Sequence, residues 1–202
     1  MKKYIISPEL NWYRANMHCH TIHSDGQMTP AEVKELYKNH EVAAHTVRHK
    51  VLTTIEDDEE LIRTVEEDRL ALSELVGYEV VGMAYPGDGK NPSNDDRVAR
   101  LIKENTGIKY SRITLPTKNF DGCDDLLRYR PTVSFHAHWN ELFELGKQFI
   151  ELKTDTPKIF YIWGHAYEFD IYPERWEQFE EFCKMIGGKD DIFYGTNKEV
   201  LL

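Results

Sequence analysis

Apolar positions in this chain fall into short runs and helical stripes that alternate almost from end to end. Tyr4–Ile6 reads as a short strand closed by Ser7-Pro8, and Ala15–Ile22 alternates loosely as another, before Ser24-Asp25-Gly26 turns the chain. Thr29, Pro30 and Glu32 make an N-terminal capping signature, which predicts a helix running to about Asn39 with Val33, Leu36 and Tyr37 on its inner side. A longer helix opens between Thr54 and Asp57. It carries Leu61, Ile62, Val65, Leu72, Leu75 and Val76 at helical spacing and ends on Gly77.

Tyr78–Tyr85 reads as a strand that stops at the turn Pro86-Gly87-Asp88-Gly89. Ser93 or Asn94 caps a helix with Val98, Leu101 and Ile102, which halts at Gly107 before a strand over Ile108–Ile113. After a polar loop, Thr114–Asp125, the stretch Leu127–Phe135 is extended, and Trp139–Lys153 is an amphipathic helix. Pro157–Trp163 has the apolar run of a buried strand and ends at Gly164-His165. Pro173 opens a last helix closed by Gly187-Gly188. Ile192–Gly195 is a short final strand, extended by Val200–Leu202.

Strand and helix thus alternate without internal repeat or linker, which predicts an α/β domain with a largely parallel sheet or barrel. Chemistry in such folds gathers at the carboxyl ends of the strands. His45, the Tyr85-Pro86-Gly87 turn, His138 and His165 all fall just after predicted strands.

The bulk composition narrows the classes of function. The 202 residues are enough for one domain with a proper core. A net charge of −10 argues against a nucleic-acid surface and leaves a neutral substrate such as a sugar open. Cys19, Cys123 and Cys183 lie far apart without a C-x-x-C pair, so neither a disulfide framework nor a thiolate zinc site is expected. No stretch approaches the roughly 20 apolar residues that span a bilayer. The apolar run near Met1 is too short for a signal-peptide core, and a cytoplasmic protein is expected.

Candidate chemistry centres on Glu41-Val42-Ala43-Ala44-His45-Thr46-Val47-Arg48-His49. Histidines four apart stack on one face of a helical turn, the usual way a helix offers two ligands to one divalent cation. This stretch resembles the second, metal-binding motif of the polysaccharide deacetylase (NodB-homology) family, His-(Ser/Thr)-x-x-His. Val81-Gly82-Met83-Ala84-Tyr85-Pro86-Gly87 stands where that family has its third motif, and Ile162-Trp163-Gly164-His165 where it has its catalytic histidine. The similarity runs over roughly residues 30–202.

The resemblance implies a NodB-like deformed (β/α) barrel occupying residues 1–202 as a single domain, with 1–28 an atypical segment and the first strand–helix unit missing or altered. It implies hydrolysis of an acetamide on an N-acetylated sugar or oligosaccharide, with a divalent metal, zinc above others, as cofactor. His45, His49 and Asp25 carry over as metal ligands. His165 carries over as general acid, Asp25 as a catalytic carboxylate and Tyr85 as an oxyanion or substrate contact. Each role has a physical reason: a Lewis acid polarises the carbonyl, and a positioned acid protonates an otherwise poor amine leaving group.

The chain also departs from that pattern. Met83 occupies the place of the family's third-motif arginine, and Ser24 precedes Asp25 where a paired Asp-Asp is usual, only 20 positions before His45. Asn16-Met17-His18-Cys19-His20-Thr21-Ile22-His23-Ser24-Asp25-Gly26 is similar to the opening motif of PHP-type metallo-phosphoesterases, His-x-His followed by Ser-Asp-Gly. Two further readings follow, a catalytically impaired homologue that binds metal or sugar, and a PHP-like phosphoesterase using His18, His20 and Asp25. His136 and His138 form a second His-x-His pair, and Glu168 or Asp170 can orient His165. Trp139, Tyr161, Trp163, Tyr167 and Trp176 are shared between core packing and a sugar-stacking platform.

Overall fold

The computed structural model describes residues 16–18, 21–22, 27–87, 92–135 and 139–202. Thr29 caps α1 (Pro30–Leu36) with the reciprocal Thr29–Glu32 bonds that the capping signature calls for. Leu52–Thr54 is one 3-10 turn. Asp57 then caps α2 (Asp58–Val76), whose last turn ends on Gly77 in the left-handed region at φ 81°. The remaining elements are β1 (Asn16–His18), β2 (Gly82–Ala84), α3 (Asp96–Asn105), β3 (Tyr110–Arg112), a second 3-10 turn at Leu126–Arg128 in place of the extended stretch expected from Leu127, β4 (Val133–Ser134), α4 (Trp139–Glu151), β5 (Ile162–His165), α5 (Glu168–Ile171), α6 (Glu174–Ile186) and α7 (Asn197–Leu201).

Every pairing between these strands is parallel. Ala44 bridges Met83 beside β2, β2 pairs with β3, and Arg112 of β3 bridges Tyr129. Four residues beyond Tyr129, β4 pairs with β5, which pairs in turn with β1 in the register His18 opposite His165. Parallel pairing brings the carboxyl ends of successive strands to one edge, and the helices supply the crossovers. The α/β expectation with a parallel sheet is met. A closed barrel is not shown among the described residues, whose pairings form the sheets β1-β5-β4 and β2-β3.

Two apolar clusters hold the layers together. One packs α2 and α3 on the β2–β3 sheet through Leu61, Val65, Met83, Val98 and Ile102. The other packs α4 and α6 on β4 and β5 through Val133, Phe135, Leu142, Phe179 and Phe182. Glycine makes room for aromatic rings on both sheets. A Cβ at Gly82 would lie 2.1 Å from the Tyr110 hydroxyl directly across the pair, and one at Gly164 would lie 2.1 Å from the Phe135 ring.

Several expectations need correction. The Val33–Leu36–Tyr37 stripe does not enter a core, since no residue of α1 is buried and Leu36 is exposed. Asp95, rather than Ser93 or Asn94, caps α3. Ser93 is buried instead, where its hydroxyl accepts the Leu52 N–H at 2.6 Å. Residues 192–195 form no strand, and Val200–Leu201 are helical because Thr196 and Glu199 build a second capping box for α7. The expected strand at Tyr4–Ile6 and the turn at Ser24–Gly26 lie outside the described residues. Among those described, no helix is long and apolar enough to cross a membrane.

The Phe135 ring fills the space over Gly164, so Gly164→Ala forces backbone or ring to move. We expect a loss of about 1–3 kcal/mol, seen as a lower urea midpoint with an unchanged slope. An unchanged midpoint would show that the contact yields without cost.

Candidate functional site

His45 leaves the sheet one residue after Ala44, whose backbone is locked to β2 by Ala44 N–H to Gly82 O and Ala84 N–H to Ala44 O, both 2.9 Å. The His45–His49 segment is not a helical turn. Thr46 and His49 have positive φ, 62° and 53°, and the turn is closed by His49 N–H to Thr46 O at 3.4 Å. Left-handed backbone at a β-branched threonine costs on the order of 1–3 kcal/mol. Asp68 on α2 offsets that cost, accepting the N–H of His45 at 2.9 Å and that of Thr46 as well. Burial holds the Asp68 carboxyl above the ordinary carboxylate range, and the two N–H groups oppose that rise.

The two imidazoles nonetheless come together. Their ring centroids are 4.7 Å apart at 66°. His45 Nδ1 lies 2.6 Å from the Ala84 carbonyl, which can only accept, so Nδ1 carries the hydrogen and Nε2 is the basic nitrogen. That arrangement suits a metal ligand, because a carbonyl on the far ring nitrogen fixes both tautomer and orientation. The donors present therefore fit two positions of a zinc-type site. Among the described residues no cluster of three His, Cys, Asp or Glu side chains completes it. Asp25, His20, His136 and His138 lie outside the described residues, so their expected roles are not placed.

His165 ends β5, with its side chain 20% exposed, and contacts the buried carboxylate of Glu168. Glu168 Oε1 lies 3.3 Å from both the backbone N and Nδ1 of His165, while Oε2 accepts from Arg175 Nη1 at 3.2 Å. The tight turn into α5 produces this contact, since the pair lie three positions apart in the chain. Of the two carboxylates expected to orient His165, Glu168 does so and Asp170 is exposed. Arg175, on α6, supplies the counter-charge that lets Glu168 be buried. The Tyr167 ring, half exposed, lies 4.9 Å from that of His165.

Tyr85 is placed differently from a substrate contact. Its side chain is buried in the cluster of α2, α3 and β2, where desolvation pushes the phenol well above its ordinary value. Its N–H is donated to Arg112 O at 3.0 Å. Met83, at the place of the missing arginine, is a core residue of the same cluster. The cation inside this edge is Arg112 at the end of β3, fully buried with its guanidinium 4.1 Å from the Trp163 ring centre.

Asp68, Arg112 and Arg175 were not anticipated as site residues. Arg112 had a legible signal, since it stands where the alternation Ile108-Lys109-Tyr110-Ser111 calls for an apolar residue. Asp68 and Arg175 had none, since both read as polar positions on amphipathic helices.

The polysaccharide deacetylase family model matches residues 6–111, just over half of the chain. No curated protein matches. Among solved structures, a probable polysaccharide deacetylase from Pseudomonas aeruginosa PAO1 is similar over 84% of this chain, with TM-score 0.65 and 17% identity. Puue allantoinase is similar over 85%, with TM-score 0.65 and 14% identity. The chain spans 61% of each of those two chains, and at such identities the likeness is one of fold.

Asp68→Ala removes both acceptors from the His45–Thr46 backbone. The expected loss is about 1–3 kcal/mol of stability, together with weaker zinc binding by equilibrium dialysis. Zinc affinity equal to wild type would show that the turn holds its shape without this carboxylate.

Proposed function

The chain belongs to the polysaccharide deacetylase family, and from that premise we propose that it is a metal-dependent carbohydrate N-deacetylase, hydrolysing the acetamide C–N bond of an N-acetylated sugar or oligosaccharide. The observation that carries this reading is that the His45–His49 couple follows the segment bridged to β2 while a carboxylate-oriented His165 ends β5, each at the carboxyl end of a parallel strand pair. His45, His49 and Asp25 would hold a divalent ion, zinc by its match to imidazole and carboxylate donors, which when bound polarises the acetamide carbonyl and acidifies water.

The chain's own residues do the rest. Glu168 holds the Nδ1 hydrogen of His165, which directs Nε2 toward the substrate, and the protonated ring delivers a proton to the leaving amine. Arg175 anchors Glu168 and so fixes the ring plane. Tyr85 contributes through the turn it opens. Its N–H is held by β3 and Pro86 has none, so Gly87 is the next residue with a main-chain donor for an oxyanion. Of the rings expected to share in a sugar platform, Tyr161 and Trp163 are buried and Trp139 packs against the second core, while Tyr167 and Trp176 are exposed and would face the sugar.

Acetate release from N-acetylglucosamine oligomers tests the reading. His165→Ala should lower kcat by about 10²–10⁴-fold while zinc content stays at the wild-type level. Replacing His45 and His49 together by alanine should abolish stoichiometric zinc. Acetate release untouched by His165→Ala, or zinc retained by the double variant, would refute these assignments.

A further inference from the structure

Among the described residues the buried charges are compensated, with one exception. Glu168 has His165 and Arg175, Arg69 has Glu66 at 2.6 Å, and Asp68 has two backbone N–H groups. Arg112 is 2% exposed and no carboxylate faces it among the described residues. Its only polar contact there is Nη1 to the Ile113 carbonyl at 3.3 Å, and Nε has no acceptor. The Trp163 ring covers one face of the guanidinium. A guanidinium carries five N–H donors and does not give up its charge, so one enclosed beside a single described carbonyl acceptor and a ring face favours an anion.

Its location gives that anion a purpose. Arg112 closes β3 at the carboxyl edge, where its own carbonyl receives the Tyr85 N–H. Trp163 and His165 are alternate residues of β5 and project on the same face, with ring centres 5.6 Å apart. Guanidinium, indole and imidazole thus stand in a row, from the interior to the partly exposed histidine. We propose that Arg112 is the receptor for a carboxylate ligand of this site, either the acetate released by deacetylation or a carboxylate carried on the N-acetylated sugar. The planar fork of the guanidinium matches a carboxylate in a bidentate way that a lysine does not. This inference rests on the proposed deacetylase activity for the origin of the ligand, while its binding is measurable without turnover.

The experiment is thermal denaturation of the full chain, with sodium acetate compared to sodium chloride at equal ionic strength, then with N-acetylmuramic acid compared to N-acetylglucosamine. The wild-type midpoint should rise with a carboxylate and not with chloride. A rise with acetate assigns the site to the product, and a rise with the sugar acid alone assigns it to the substrate. Arg112→Met should abolish the rise, and Arg112→Lys, which keeps the charge should the methionine variant fail to fold, should weaken the ligand about tenfold. No carboxylate-dependent rise in the wild type, or an undiminished one in Arg112→Lys, would overturn the proposal. Carboxylate binding without acetate release from any sugar would refute the deacetylase reading alone, and acetate release without carboxylate binding would refute this one alone.

Discussion

The carboxylate of Asp68 determines the shape of the edge on which everything else depends. It reaches from α2 to two successive N–H groups and holds Thr46 where a threonine does not otherwise rest. From that constraint follow the departure of the chain from the sheet at His45, the contact of His45 Nδ1 with the Ala84 carbonyl, and the approach of His49. A helical turn would have brought the same two rings together by spacing alone. The observed turn does it by tying the histidines to both a helix and a neighbouring strand, so ring positions are fixed by tertiary contacts rather than local propensity.

The opposite side of the edge is ordered by charge. Glu168 is buried because His165 and Arg175 share it, and the same contacts orient the imidazole. Arg112 is buried with an aromatic face and one carbonyl. A fold stable enough to enclose such a cation draws on its two aromatic and aliphatic cores, whose packing over Gly82 and Gly164 leaves little slack between strand and ring.

Much of this architecture is legible in the chain itself, for identifiable reasons. Capping at Thr29, the Gly77 stop and the amphipathic stripes of α2 to α4 and α6 are local signals, and the elements form where those signals stand. The strands are shorter than their apolar runs because only part of each run meets a neighbour, as with Gly82–Ala84 inside the run Tyr78–Tyr85. The end of the chain reads as strand because Ile192, Phe193 and Val200 look strand-like, whereas the Thr196–Glu199 box decides for helix. In the site, the orientation of His165 by Glu168 follows from a short sequence separation, and the spacing of His45 and His49 shows that they can meet but not the turn that brings them together. The Asp68 and Arg175 contacts do not, since they join residues on different elements, and no periodicity encodes which polar position of a helix turns back to a loop.

The central claim is that His45 and His49 hold the metal beside which His165 works. An anomalous-scattering map of zinc-loaded crystals addresses it most directly. The account predicts one peak within about 2.0–2.1 Å of His45 Nε2 and of a His49 ring nitrogen. A fully occupied zinc bound elsewhere, with both of these imidazoles outside its coordination shell, would contradict it.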